Sequence, residues 1–461
     1  MSIMPESAPY RPAYMRDGVT GLYYRIGGGG SGGAVYVGLL ADDPDPAIYA
    51  QWVVTDDPTA YALQVSDGTA WYPIAGGTGD GEPEPEPPAP VIFTTQGATF
   101  SPKLWQVADS PNEIEWVNDI TSAVVGVGPT PVINFGSVGA RTIRMHCTRP
   151  QDVLTVDVGY DVSHDTGNYL PGVSGGAVTG GAGAYNHPPQ RITAVTGLQV
   201  LTNLVNFMAA GNPEDPTLGT HRLTGTVDFS GLSKLEFIEC AYARVSGTNL
   251  TGCTSLIRLC FEQNNWQGNS LDLNPVRTNL RDLRMAFQGG VSFVPLTGPL
   301  TQLYHLCVRE QPITNMPQQT NLPACTEHWT WANSQTGAFV APAPAADVRI
   351  YSNGYTSLDF THTASTNSPG MFVGANNNFG SNITGLSTMR RFDQILMDNC
   401  GLPQATVNLI LSTINGWGRT GGVLNLGLNG GSFPNAAPTG GASNADVVAL
   451  RARSWTVTIA P

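Results

Sequence analysis

In the C-terminal half of the chain, apolar residues recur in a fixed pattern. Two lie three apart, a third follows two further on, and a polar or thiol residue follows after three more. The clearest rungs are Leu232, Leu235, Phe237, Cys240; Leu256, Leu259, Phe261, Asn264; Leu280, Leu283, Met285, Gln288; and Leu303, Leu306, Val308, Gln311. Weaker rungs follow at Trp329 and Trp331, at Val348, Ile350 and Asn353, and at Met371, Val373 and Asn376. The last is Phe392, Ile395, Met397, Cys400. With centres at 235, 259, 283, 306, 329, 348, 371 and 395, the steps are 24, 24, 23, 23, 19, 23 and 24 residues. The period-two alternation inside each rung predicts a short strand whose alternate residues enter a core. At the Asn or Cys position the chain is expected to leave its strand. There Asn264, Asn353 and Asn376 can bond backbone groups inside the turn, and Cys240 and Cys400 can serve as buried thiols.

The spacing L-x-x-L-x-L-x-x-N/C resembles a leucine-rich repeat, whose period is about 20–29 residues. The resemblance implies a solenoid, a fold that presents a long exposed surface to partners. The pattern changes near the end. Pro403–Ile414 predicts an amphipathic helix with proline in its first turn. Gly421–Gly431 predicts a last strand. Ser443–Trp455 predicts a helix capped by Ser443 or Asn444, and Thr456–Ile459 a closing strand. Such a cap covers apolar surface that the last repeat leaves open.

Upstream the period is different. Tyr36–Leu40, Tyr49–Val54, Tyr61–Gly68 and Ala70–Ile74 predict short strands, with Asp-Asp-Pro at 42–44 and 56–58 as turns. Residues 1–81 thus form a small β module, with Tyr49, Trp52, Tyr61, Trp71 and Tyr72 as its candidate core. Its Gly27–Gly33 tract lacks the Lys-Ser/Thr ending of a phosphate loop and reads as a flexible loop. Residues 82–90 alternate Glu and Pro, a stiff extended linker of about 28 Å. Strands at 91–95, 104–107, 114–117, 131–135, 141–147 and 154–158 predict a β-sandwich over 91–160, with Trp105 and Trp116 in its core. It resembles Ig-like or PKD-like modules. A Gly-rich hinge (161–189, including Pro171–Ala184) precedes the repeat domain and cap (190–461). The expected fold class is multidomain and mainly β: a small β module, an Ig/PKD-like sandwich, and a leucine-rich-repeat α/β solenoid with a helical cap.

Composition narrows the function. Charged residues are 12% of the 461, about half the usual share. Net charge is −13, and the first ninety residues hold twelve carboxylates against three arginines. This disfavours nucleic acid, which selects a basic face, and docking on anionic lipid. No run of 18 apolar residues predicts a membrane span, and the MSIMPESAPYRP start does not read as a signal peptide. Seven cysteines, six of them in the repeats, have no framework spacing and read as buried thiols.

Candidate chemistry is sparse. The seven histidines form no H-x-H or H-E-x-x-H pair, so neither metal nor cofactor is expected. His146 and Cys147 are adjacent on a predicted strand and point to opposite faces, which separates base from thiol. Glu236, Glu239, Glu262, Asp282, Glu310 and Glu327 fall near rungs, and a glycosidase needs two carboxyls roughly 5–9 Å apart. Such pairs arise on neighbouring rungs without function, and no enzyme is expected. The expected binding surface is instead the outward strand positions Glu236, Arg258, Arg284, His305, Thr330 and Arg349, together with Trp266. Trp329 and Trp331 are assigned to the core, although tryptophans at such sites also stack on sugar rings.

The stretch DNCGLPQATVNLILSTI through VLNLGLNGG and APTGGASNADVVALRARSWTVTI resembles the C-terminal end of leucine-rich-repeat proteins of tailed bacteriophages and of some bacterial surface proteins. That likeness covers the repeats and cap. It implies a non-enzymatic virion protein of the minor-tail, tail-fibre or head-fibre type, assembled in the host cytoplasm. Residues 1–81 would attach it to other virion proteins, and the repeats would meet a glycan or protein of the bacterial envelope. A homo-oligomer is implied by the symmetry of particle attachment sites, a trimer being common for fibres. The alternatives are a bacterial cell-surface adhesin and a capsule-depolymerising tail spike.

Overall fold

The computed structural model describes residues 88–159, 191–211, 223, 225–266, 269–286, 289–317, 319–363, 370–427 and 430–461, and the backbone of six strands between residues 13 and 73. The Gly27–Gly33 tract, residues 82–87 of the linker and the hinge at 161–189 lie outside the described residues. So do the side chains of the expected N-terminal aromatic core. The chain divides into two compact units, residues 1–86 and 87–461. In the first, Ala13–Arg16 pairs with Tyr23–Ile26. Ala34–Gly38, Tyr49–Val54, Leu63–Ser66 and Trp71–Pro73 form a four-stranded sheet in that order.

The second unit is mainly β and opens with an antiparallel five-stranded sheet. Its order is Val124–Val127, Ile114–Asn118, Arg141–Cys147, Val91–Thr95, Ile192–Thr196. The alternation in Val91–Thr95 buries Val91 and Phe93. Phe93 packs with Phe100 and Trp116, their ring centroids 5.5 to 5.8 Å apart. Trp105 is only half-buried. Residues 91–160 do not close on themselves. Lys103–Gln106 and Val153–Asp157 begin a second, longer sheet, while Ile192–Thr196 returns to pair with Val91–Thr95.

That longer sheet has thirteen strands, and from Val153–Asp157 onward every pair is parallel. Most strands are three residues long. The middle residue enters the core and pairs in register with its counterparts: Phe207, Ile238, Leu259, Leu283, Leu306, His328, Val348, Phe372, Ile395. All are buried. The register departs from the expected centres in three places. Ile238, not Leu235, lies beside Leu259; Phe372, not Met371, beside Ile395; and His328, not Trp329, beside Leu306 and Val348. The steps of 23 and 19 thereby become 22 and 20 (306 to 328 to 348). Across the core, short parallel ribbons line the other side: Thr226–Asp228 with Gly247–Asn249, Ser270–Leu271 with Val291–Phe293 and Ile313–Thr314, and Thr336–Val340 with Gly354–Asp359 and Ile383–Thr384.

Past seven of the strands, four residues beyond the inward central one, the chain enters the left-handed region at one register position. These are Tyr242, Gln263, Glu310, Ala332, Ser352, Asn376 and Asn399, with φ between 52° and 58°. The chain then turns inward, and a buried amide satisfies the backbone exposed there. The Asn264 side chain donates to the carbonyls of Cys240 (2.7 Å) and Glu262 (3.2 Å) and accepts from the Val245 N–H (2.8 Å). The Asn353 side chain donates to the Thr330 and Ile350 carbonyls (2.7 and 3.0 Å) and accepts from the N–H of Asn333 (2.8 Å) and Gln335 (3.3 Å). Gln311, Asn333 and Asn435 fill equivalent places. Asn376 does not. It is the exposed left-handed residue, and its neighbour Asn377 is the buried one, donating to the Ile350 and Gly374 carbonyls (both 2.9 Å). At Cys400 a thiol takes over, donating to the Gly374 carbonyl at 3.1 Å.

Helix α1 (Gln404–Gly416) buries Val407, Ile410, Leu411 and Ile414, at helical spacing. Pro403 stands just before it as the N-cap. Helix α2 (Ala445–Ala452) is capped by Asn444, whose side chain accepts from the N–H of Asp446 and Val447. Trp455–Ile459 then pairs with Gly422–Leu426 and ends the sheet.

Candidate binding face

In a three-residue strand with its middle residue inward, the first and third residues point to the open face. In-register neighbours there stand about 4.8 Å apart across a parallel sheet. The first row runs Arg258, Asp282, His305, Glu327, Asp347, and the next Glu239, Cys260, Arg284, Cys307, Trp329, Arg349. Beyond the strands a third row carries Arg309, Trp331 and Tyr351. Residues far apart in sequence are thus set side by side.

Asp282 is the hub of the first half. Its carboxylate accepts from Nδ1 of His305 at 2.8 Å and from Nε of Arg284 at 3.1 Å, and Nε of Arg258 lies at 3.6 Å. Burial alone would raise its pKa. The His305 hydrogen bond and charge and the Arg284 pair outweigh burial and hold it below the usual carboxylate range. Arg284 is held charged, its pKa raised by Asp282 against the opposing effect of burial. Glu239 faces Arg258 at 3.4 Å, yet burial dominates and pushes its carboxyl up.

The second half is aromatic. His305 meets Trp329 edge-on at 5.0 Å, and the Arg349 guanidinium lies 4.4 Å over the Trp329 ring while forming a two-pronged pair with Asp347 (2.9 and 2.8 Å). Trp331 stacks on Tyr351 at 5.1 Å with rings 14° from parallel, and Arg309 covers it at 5.0 Å. Trp329 and Trp331 are 6.2 Å apart, so the rings form one strip. Arginine over tryptophan is among the more favourable cation–π arrangements.

Of the expected surface residues, Arg258, Arg284, His305 and Arg349 come together here. Arg258 and His305 are covered by their neighbours, at 9% and 4% exposure. Glu236 is half-buried and precedes its strand; its carbonyl accepts from the N–H of Ile257 and Arg258. Two assignments are corrected. Thr330 is fully buried, because with His328 at the strand centre it takes the inward place of Val308 and Ile350; its hydroxyl lies 3.1 Å from Nε2 of His328. Trp266 is fully buried, edge-on to Phe261 at 5.4 Å. The same register shift turns Trp329 out of the core, and it is half-exposed. Trp331 keeps only 8% exposure, beneath Arg309 and Tyr351. Asp347, Arg309 and Tyr351 were not singled out by sequence. Aligning Asn333 with Asn353 and Gln311 would have fixed the register and exposed all three.

All seven cysteines are buried free thiols, and burial pushes Cys147, Cys253, Cys307, Cys325 and Cys400 up to about 12. At that pKa they are poor nucleophiles. Among the described residues no cluster of His, Cys, Asp and Glu is arranged to hold a metal ion, and no helix is long and apolar enough to cross a membrane. No protein-family model matches the chain, and no curated protein matches it.

Proposed function

We propose that this chain is a structural protein of a tailed-phage particle, a tail or head fibre component that recognises the host envelope without catalysing a reaction. In this reading residues 1–81 attach it to other virion proteins, the Ig-like five-stranded sheet runs directly into the long parallel sheet, and that sheet is a leucine-rich-repeat solenoid with a helical cap. The observation that carries it is the open face of the thirteen-stranded sheet, where rows of arginine, carboxylate and aromatic side chains are set in register from His305 to Tyr351. Arginine and aromatic residues dominate binding hot spots. The in-register repeat and the amide at each inward turn support the solenoid, and the low charge and Gly-rich, Thr-rich composition support a particle-borne protein.

The test is mass-spectrometric inventory and immunogold labelling of phage particles from the source organism. Label on the particle supports the reading, and its position separates head fibre from tail fibre. Label on the bacterial surface alone overturns it in favour of an adhesin. A cleared capsule halo around spotted, purified protein overturns the non-enzymatic part.

A further inference from the structure

Resting on the envelope-recognition reading above, we propose that the strip formed by Trp329, Trp331, Tyr351, Arg309 and Arg349 is a subsite for an uncharged, hydroxyl-rich carbohydrate. The first ground is its amphipathic build. Trp331, itself covered, is stacked between the Tyr351 ring and the Arg309 guanidinium, Trp329 is tilted against it, and Arg349 lies over Trp329, so the exposed parts are Trp329, Tyr351 and the two guanidiniums. Apolar bodies with polar rims suit a ligand that carries both C–H and O–H groups at its surface.

The second ground is charge. In the outward rows and their turns, Arg258, Arg284, Arg309 and Arg349 stand against six carboxylates, and each arginine has a carboxylate within 4 Å. A sulfated or uronic polymer would therefore meet a face with surplus negative charge and engaged cations. A neutral polymer meets carboxylate oxygens that accept from hydroxyls and guanidinium edges that donate to them.

The third ground is a pair of buried, unpartnered ring nitrogens, one on Trp329 and one on His305 beside the strip. The His305 side chain is 5% exposed, and its Nδ1 is occupied by Asp282. Its Nε2 has no hydrogen-bond partner, the nearest carboxylate oxygen, on Glu327, being 3.9 Å away. Trp329, whose ring it meets edge-on, holds an Nε1–H that is also without a partner. In the tautomer that carries its proton on Nδ1 toward Asp282, Nε2 is an acceptor, in a ring that meets the indole donor's ring edge-on. A hydroxyl group both donates and accepts, and so matches the pair once the side chains covering it move aside on binding.

The test is calorimetric titration of the full chain with maltohexaose, cellohexaose, mannohexaose and a galacto-oligosaccharide. A heparin hexasaccharide and an oligoguluronate serve as anionic probes, and Trp329→Ala is titrated alongside. The expected result is binding of at least one neutral oligosaccharide and weaker binding of both anionic ones by roughly tenfold or more. Trp329→Ala should weaken the neutral interaction by a similar factor, about 1.4 kcal/mol, with its unfolding midpoint preserved. Silence from every neutral probe, tighter binding of an anionic one, or unchanged binding by the variant overturns the proposal. If Trp329→Ala does not fold, Tyr351→Ser at the rim is held to the same criteria. Labelling a panel of bacteria with fluorescent protein separates the two readings. Cells labelled equally by the variant sink the strip and leave envelope recognition standing. Neutral-sugar binding without labelled cells does the reverse.

Discussion

Asp282 engages three side chains at once, the guanidiniums of Arg258 and Arg284 and the imidazole of His305, while almost wholly covered. Removing one member of a buried ionic cluster leaves the others without a counter-charge, a loss of about 3–5 kcal/mol. Asp282→Ala is expected to lower the urea midpoint correspondingly with an unchanged m-value; a midpoint within experimental error of wild type would show that the cluster is solvated. His328 is a second sensitive residue. Burial pushes its pKa down to about 3, so the unfolded chain takes up a proton near pH 6.5 that the folded chain refuses. Its contribution is intact above pH 6.5 and is lost as pH falls from there towards 3. Between pH 7 and 4.5 it should cost about 2–3 kcal/mol. His328→Leu should flatten the acid limb of the stability curve by that amount, read from urea midpoints across the range. Parallel curves for the two chains would count against the assignment. Asp282 was recognisable in sequence as a carboxylate near a rung. Its role was not, because two of its three partners, Arg258 and His305, come from neighbouring strands 24 and 23 residues away and only lateral register brings them together.

Among the elements, the repeated coil was the most legible. The strands near Leu259, Leu283, Leu306, Val348 and Ile395, both cap helices and the final strand follow from apolar spacing and capping residues. What misled was substitution inside the pattern. At 328 and 330 histidine and threonine stand where the other coils place mostly large apolar residues, so the eye moves to the large apolar Trp329 and Trp331. In Asn376-Asn377-Asn378 three identical residues compete for one inward place. The amide found at most of the turns is the better guide to register, since it must meet a fixed set of backbone groups. Asn353 makes four such hydrogen bonds. Asn353→Leu should destabilise by about 3 kcal/mol, with buried N–H and carbonyl groups left unmet. Hydrogen exchange should accelerate at the amides of Asn333 and Gln335 first, and uniform exchange over the whole sheet would contradict this local role.

At the scale of the molecule, the backbone ladder is continuous but the apolar core beneath it is not. One cluster of buried side chains runs from Val91 to Cys325 and a second from Phe339 to Val457. The coil between them fills its interior with His328, Thr330 and Asn333. In stacked-coil proteins stability is a sum over coils and their interfaces, so a weak interface divides cooperativity. Unfolding at pH 5, where His328 weakens the join further, is expected in two steps, the block from 339 onward exchanging separately from the block before it. A single cooperative transition at that pH would mean that the backbone ladder alone couples them.

The polar seam has a mechanical consequence. Under the tethering role proposed above the protein would carry load, and load concentrates at the joint with least cohesion. Pulled from its two ends, this chain should part first between Cys325 and Phe339, beneath the aromatic strip. A ligand lying across Trp329, Trp331 and Tyr351 would bridge that joint from outside and stiffen it. Attachment itself would then raise the force at which the tether yields.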